Sequence, residues 1–138
     1  MKLLLDTNVL SELHKTHPDS NVESWWSSVQ DRALYTSVLV IAEIRKGIER
    51  LRPRDPRQAQ RFEFWLMQVI DEYEERILPV TLEVAEEWGR SNYANPLPAA
   101  DGLIAATARI HGMCVVTRNV ANFSRGGVRV LNPFELLG

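Results

Sequence analysis

The 138-residue sequence contains one cysteine, Cys114, and three histidines, His14, His17 and His111. A single cysteine cannot form a disulfide within the chain, which fits a reducing compartment. The cysteine and the three histidines also lack the spacing of a structural zinc site. No apolar run approaches the ~20 residues that cross a bilayer, and Asp6 comes too early for a secretion signal. The sequence therefore predicts a cytoplasmic protein that is not inserted in a membrane.

Lysine is scarce, with 3 Lys against 13 Arg, although the net charge is only −2. Many of the basic residues crowd the stretch 45–61, where forked guanidinium groups favour phosphate contact. Glu49, Asp55 and Glu63 lie within or beside this stretch, so a solvated surface of ion pairs is the alternative. With 45% hydrophobic and 25% charged residues, the composition is typical of globular proteins, and we expect a single domain over residues 1–138.

Short apolar runs alternate with helical patterns along the chain. We predict strands at 2–5, 34–37, 77–80, 113–117 and 128–131, and helices at 38–51, 82–93 and 99–110, with a short helix at the end. A longer helix after the Pro-rich break at 52–56 would bury six side chains: Phe62, Trp65, Leu66, Val69, Ile70 and Tyr73. Gly112 is placed to end the helix at 99–110 in a left-handed conformation. The alternation predicts an α/β fold, a three-layer α/β/α sandwich with a parallel five-stranded sheet.

Three acidic residues are placed to meet at one edge of this sheet. Asp6 follows the first strand, Glu43 lies one turn into the helix after the second, and Asp101 opens the helix that precedes the fourth. Ligands collect at the carboxyl ends of parallel strands, and all three acids belong to that edge. Clustered carboxylates repel one another unless a cation offsets them, and oxygen ligands suit Mg²⁺ or Mn²⁺. The residues thus predict a divalent-metal site.

Each acid also has an ordinary structural alternative. Asp6 could bond its own backbone in a turn, Glu43 could be a solvated surface acid, and Asp101 could simply favour the helix dipole. Dinucleotide and nucleoside triphosphate binding are disfavoured, because no glycine-rich or Gly-Lys-Ser/Thr loop follows a strand. A flavodoxin-like phosphoryl-transfer protein would need an acceptor Asp after a central strand. A haloacid-dehalogenase-like phosphatase would need Asp in place of Asn8.

The three acids lie in the segments LLLDTNVLSE (3–12), IAEIRKG (41–47) and ADGLIAATA (100–108), and these are followed by VTRNVANF (116–123) and by NPF at 132–134. In order and spacing they resemble the PIN-domain family, and within it the VapC-type toxins and their FitB-like branch. The resemblance covers essentially the whole chain. It implies a small metal-dependent endoribonuclease. Hydrolysis of this kind should leave 5′-phosphate and 3′-hydroxyl ends, because no sequence feature points to attack by the ribose 2′-hydroxyl. It also implies a homodimer held inactive by a cognate antitoxin, with DNA contacted only through that antitoxin.

The resemblance assigns roles to individual residues. Asp6, Glu43 and Asp101 match the family's three invariant acids. Asp6 and Asp101 would ligate the principal Mg²⁺ or Mn²⁺, and Glu43 would be a further ligand or would position its water. Three more side chains are expected to contact water or the phosphate of the RNA substrate: Asn8, Thr117 and Arg118. Arg118 could instead pair with one of the acids.

The sequence departs from the family at one point. A fourth acid is usual after the fourth strand, where this chain has Asn119 and Asn122. We expect Asn119 to take that place, because it is nearer to the end of the strand, although Asn is also common in turns. An amide can bind a hard cation but cannot act as a base. The alternative function is therefore a catalytically weakened domain that mainly binds RNA or the antitoxin.

Overall fold

A computed structural model describes residues 1–29 and 33–135. Its five strands form one sheet in the order β3-β2-β1-β4-β5, and every neighbouring pair is parallel. The strands are β1 (Leu3–Leu5), β2 (Leu34–Ser37), β3 (Ile77–Leu78), β4 (Cys114–Val116) and β5 (Val130–Leu131). From β1 the chain builds outward to β3, and it then returns to add β4 and β5 on the other side of β1. Right-handed crossovers therefore place helices on opposite faces of the sheet. The predicted parallel α/β fold is confirmed.

Seven α-helices connect or follow these strands in the described part of the chain. They are α1 (Thr7–His14), α2 (Ser20–Ser28), α3 (Val38–Leu51), α4 (Pro56–Tyr73), α5 (Leu82–Asn92), α6 (Ala99–His111) and α7 (Val120–Arg125). A 3₁₀ turn at Glu74–Arg76 leads into β3. Five helices begin after a residue whose side chain accepts a backbone N–H of the first turn: Asp6, Asp19, Ser37, Asp55 and Thr81. Of the predicted terminal helix, residues 132–135 show no helix and 136–138 lie outside the described residues.

The core lies around the two central strands. Leu4 and Leu5 of β1 and Val115 and Val116 of β4 are all fully buried. Residues of β1 lie directly opposite β4 in register, with Leu5 beside Val116. The residues that follow β1 and β4 therefore start from a closely packed part of the core.

The predicted buried face of α4 is confirmed for Leu66, Val69 and Tyr73. Phe62 and Trp65 are only half-buried, and the prediction for Ile70 is wrong because the residue is 41% exposed. On α3 the buried residues are Val40, Ile44 and Ile48. Gly112 ends α6 with φ of 64°, the left-handed conformation that glycine adopts without strain. Within the described ranges, no helix combines the length and hydropathy that crossing a bilayer requires.

Two residues of the arginine-rich stretch, Arg45 and Arg52, belong to a network of ion pairs. The Arg45 guanidinium donates to both carboxylate oxygens of Glu63, at 2.7 and 2.6 Å, and so joins α3 to α4. Arg52 donates to Glu63 and to Glu49. These two arginines lower the pKa of Glu63 to about 2. For Arg45 and Arg52 the structure therefore favours the ion-pair interpretation over phosphate contact.

Candidate functional site

Asp6 follows β1 and lies between β1 and β4, at the topological switch point of the sheet. On one side of this point the chain order runs from β1 to β3, and on the other side it runs from β4 to β5. Its backbone N–H donates to the Val116 carbonyl at 3.0 Å, which continues the pairing of the two strands. The side chain is 5% exposed. Oδ1 accepts the Thr7 N–H at 2.8 Å and caps α1, and Oδ2 accepts the Thr117 hydroxyl at 2.8 Å. In open α/β sheets this switch point is where ligands bind.

Burial dominates the electrostatics of Asp6. Loss of solvent raises the pKa of its carboxyl, the hydrogen bonds from Thr117 and Thr7 oppose that rise, and the charge of Asp101 adds to it. Among the described residues, no Lys, Arg or His forms an ion pair with Asp6, Glu43 or Asp101. A buried carboxylate without a cationic partner costs free energy, so the site favours a bound cation.

Glu43 approaches the site from α3. Although the residue as a whole is exposed, its carboxyl accepts the Thr7 hydroxyl at Oε2, at 3.2 Å. Partial burial of the carboxyl raises the pKa of Glu43, and the negative charges of Asp6 and Asp101 raise it further. Thr7 was not among the site residues expected from sequence. Its position directly after Asp6, in the first turn of α1, is the signal that could have identified it.

Asp101 lies in the first turn of α6, and its partner comes from α7. The Asn122 amide donates from Nδ2 to Asp101 Oδ2 at 3.1 Å. Asn119 precedes α7, its side chain forms no capping hydrogen bond, and its backbone N–H donates to the Thr117 hydroxyl. The structure thus brings Asn122, and not the expected Asn119, against one of the three acids.

The side chains expected to contact substrate have different surroundings. Asn8 donates to the Thr117 hydroxyl at 3.3 Å, and its Oδ1 accepts the Arg118 backbone N–H at 3.0 Å. Its amide therefore ties α1 to the residues after β4. The Arg118 side chain is exposed, with its guanidinium carbon 4.3 Å from the centre of the Phe134 ring. It forms no ion pair with any acid in the described ranges, so the alternative pairing with the three acids is not observed.

The donor set fits a hard divalent cation that keeps part of its water shell. In residues 1–29 and 33–135, no three His, Cys, Asp or Glu side chains are grouped closely enough to hold a metal ion by themselves. Mg²⁺ is commonly held by only one or two carboxylates and retains several waters. Asp6 and Asp101 can supply those carboxylates, and Asn122 and Thr117 lie beside them as neutral oxygen-bearing groups.

An apolar cavity of about 250 Å³ adjoins the acidic site. Thr7 and Glu43 form its polar end, and the cavity extends between α1, α3 and α4. The rest of its lining is mainly apolar: Ile44, Gly47, Ile48, Leu51, Phe62 and Trp65. A β-carbon placed on Gly47 would meet no other atom within 4 Å, so the glycine leaves this cavity open.

The comparisons with known proteins agree with this architecture. The family profile described as PIN domain matches residues 3–127. VapC ribonuclease Y4jK of Sinorhizobium fredii is 33% identical over 96% of this chain and 98% of its own length. Toxin FitB of Neisseria gonorrhoeae is 32% identical over 96% of this chain and 99% of its own. Among solved structures, one described as FitAB bound to an IR36 DNA fragment superposes with a TM-score of 0.88 and 32% identity, covering 99% of this chain and 98% of that one.

Proposed function

The protein belongs to the PIN domain family, and from that membership we propose that it is a metal-dependent endoribonuclease and the toxin of a toxin–antitoxin pair. We propose further that residues 1–138 form a single PIN domain. Its substrate would be RNA, cut by hydrolysis of a phosphodiester bond, and its cofactor Mg²⁺ or Mn²⁺. A ribonuclease of this kind would act in the cytoplasm, where RNA is available to it.

The observation that carries the proposal is the environment of Asp6. The carboxylate is buried at the switch point of the sheet, the charge of Asp101 acts on it, and no basic side chain pairs with it in the described part of the chain. An acid used only to cap α1 could sit in solvent, where its charge costs little. Burial of the charge is understandable if a cation completes the site.

The roles of the chain's own residues follow from their positions. A divalent cation at this site would lower the pKa of a water and neutralise charge on the scissile phosphate. Asp6 and Asp101 would hold it, and Asn122 would fix the Asp101 carboxylate through its hydrogen bond. Glu43, whose pKa is raised, would orient the attacking water and accept its proton. The exposed Arg118 would contact a phosphate of the RNA strand.

The apolar cavity beside Glu43 supports the proposed antitoxin partner. An extended or helical antitoxin segment could bury apolar side chains there and place a basic side chain against the three acids. The solved FitAB structure contains DNA, and we propose that DNA contact in this system belongs to the antitoxin. We also propose a homodimer, which sedimentation of the purified protein would test by its mass.

Cleavage of a labelled single-stranded RNA tests the enzyme proposal. We expect cleavage with Mg²⁺ or Mn²⁺, none in EDTA, and 5′-phosphate ends on the products. Asp6→Asn, Glu43→Gln and Asp101→Asn should each abolish cleavage while circular dichroism shows an intact fold. Arg57→Gln, an exposed change on α4, is the matched control and should cleave normally. Activity that resists EDTA, or products with 2′,3′-cyclic phosphate, would contradict hydrolysis through this site.

One observation favours the second candidate, a binding module with weak catalysis. Asn122 occupies a position beside Asp101 where a carboxylate would strengthen metal binding. A binding module should bind RNA or the antitoxin with the same affinity in EDTA as in Mn²⁺. It should also yield no cleavage product at saturating Mn²⁺. Measuring RNA affinity and cleavage on the same samples separates the two candidates.

A further inference from the structure

A second, smaller cavity lies between α5, α6 and α7, away from the apolar cavity. We call it the α5–α7 cavity. Its volume is about 70 Å³, several times the roughly 10–15 Å³ that one water requires. Its lining is mostly polar and includes Ser91, Asn92, Asn95, Arg109, Arg125 and Gly126. A cavity of this size and polarity can accept a small polyatomic ion.

The two arginines give the α5–α7 cavity a positive charge that no acid neutralises. None of its lining residues is Asp or Glu. Arg109 donates from Nη1 to the Gly126 carbonyl, and Arg125 donates from Nη2 to the Pro96 carbonyl at 3.2 Å. Across the described ranges neither forms an ion pair with a carboxylate. A carbonyl partner leaves the guanidinium charge in place, in contrast to Arg45 and Arg52, whose charges are matched by glutamates.

The lining of the α5–α7 cavity offers donors that suit an anion. Guanidinium groups bind phosphate with several parallel hydrogen bonds, and the amides of Asn92 and Asn95 offer further donors at the same cavity.

The location of the α5–α7 cavity relates it to the acidic site. Arg109 follows Asp101 by eight residues on α6, a rise of about 12 Å along the helix. Ala105, halfway between them, also lines the cavity. On α7, Arg125 lies three residues after Asn122, whose amide contacts Asp101. Gly102, directly after Asp101, lines the cavity as well, so the cavity extends along α6 from beside Asp101 to Arg109. This distance is within reach of the next nucleotides of a bound RNA strand.

We propose that the α5–α7 cavity binds a phosphate group, and that this group is a backbone phosphate of RNA adjacent to the one cut. The assignment to RNA rests on the proposed function, whereas phosphate binding by the cavity does not. The site would hold the RNA strand in a fixed position along α6 and α7. Such contacts position a nucleic acid without reading its sequence.

The test measures two ligands on the same variants. Fluorescence anisotropy in EDTA reports binding of a single-stranded RNA, and thermal unfolding reports binding of inorganic phosphate. We compare Arg109→Gln and Arg125→Gln with Arg57→Gln, which removes the same charge from an exposed position of α4. Arg125 is exposed, so its variant should fold even if loss of the Arg109 bond to Gly126 does not permit folding.

The expected result is weaker RNA binding by both cavity variants, with the salt dependence reduced by about 0.7 in slope for each lost phosphate contact. Phosphate should raise the melting temperature of the wild-type protein and of Arg57→Gln but not of Arg125→Gln.

The cavity site is overturned if Arg125→Gln matches Arg57→Gln with both ligands. If only the phosphate response is lost, the site takes free phosphate and the RNA assignment is wrong. A further outcome is that neither the wild-type protein nor any variant binds or cleaves RNA, while the response to phosphate still depends on Arg125. In that case the proposed function is wrong and the phosphate site is supported.

Discussion

The Thr117 hydroxyl donates to Asp6 Oδ2 at 2.8 Å while it accepts hydrogen bonds from the Asn8 side chain and the Asn119 backbone. A hydroxyl has one proton and two lone pairs, so these three bonds use its full capacity. With both lone pairs occupied, the proton of Thr117 is directed toward Asp6. This arrangement favours the ionised form of Asp6, which is the form that binds a cation.

Replacing Thr117 tests that relationship. Thr117→Val keeps the shape but leaves three polar groups without their partner, among them the buried Asp6 carboxylate, so we expect a loss of about 1–3 kcal/mol in the free energy of unfolding. Thr117→Ser retains the hydroxyl and should lose less than about 1 kcal/mol. Urea denaturation at pH 7 measures both. Equal stability of the two variants would show that the hydroxyl is not needed.

The raised pKa of Asp6 predicts how stability depends on pH. The folded protein holds the Asp6 proton more tightly than the unfolded chain, so it binds more protons over the range between the two pKa values. In EDTA, the contribution of Asp6 to the free energy of unfolding should therefore fall as pH rises from about 4 through the raised pKa. Asp6→Asn has no carboxyl to titrate, so its free energy of unfolding in EDTA should fall less between about pH 4 and pH 7 than that of the wild-type protein.

Metal supplies the control for that prediction. Added Mg²⁺ should raise the melting temperature of the wild-type protein at pH 7, because a ligand that binds only the folded state stabilises it. The same addition should leave Asp6→Asn nearly unchanged. A variant that is less stable than wild type in EDTA at pH 7 would mean that hydrogen bonds to Asp6 outweigh the cost of burying its charge.

Local sequence predicts most of the strands and helices and the position of several site residues. The bounds of α3 and β2, the left-handed Gly112 and the position of Asp6 after β1 depend on residues within a few positions of each other. The placement of Asn122 could not be predicted in this way. It depends on where α7 begins and on how α7 packs on α6, and the first turn of α7 carries residue 122 back over Asp101. The outward position of Ile70 likewise depends on which side of α4 meets the core.

Two glycines offer a matched test of packing beside the site. A β-carbon on Gly102 would lie 2.8 Å from Trp88 Nε1 and 3.1 Å from Asn92 Oδ1, which is too close without a shift. Gly102→Ala should therefore lower the free energy of unfolding by about 1–3 kcal/mol. Gly89→Ala, within α5, meets nothing within 4 Å and should raise it by about 0.5–1 kcal/mol. Thermal or urea unfolding compares them, and a Gly102→Ala protein as stable as wild type would contradict the close contact with Trp88.

The last prediction concerns the missing fourth acid. The sequence favoured Asn119 for that place, but the contact with Asp101 is made by Asn122, so Asn122→Asp should be the variant that changes metal binding. In EDTA, a new carboxylate so close to Asp101 should lower stability by repulsion. With Mn²⁺ the same charge should attract the cation and lower the concentration for half-maximal cleavage by roughly tenfold or more. Asn119→Asp, on an exposed residue, should change that concentration by less than about twofold. A larger effect for Asn119→Asp would assign the second position to residue 119, and no effect in either variant would mean that three acids suffice.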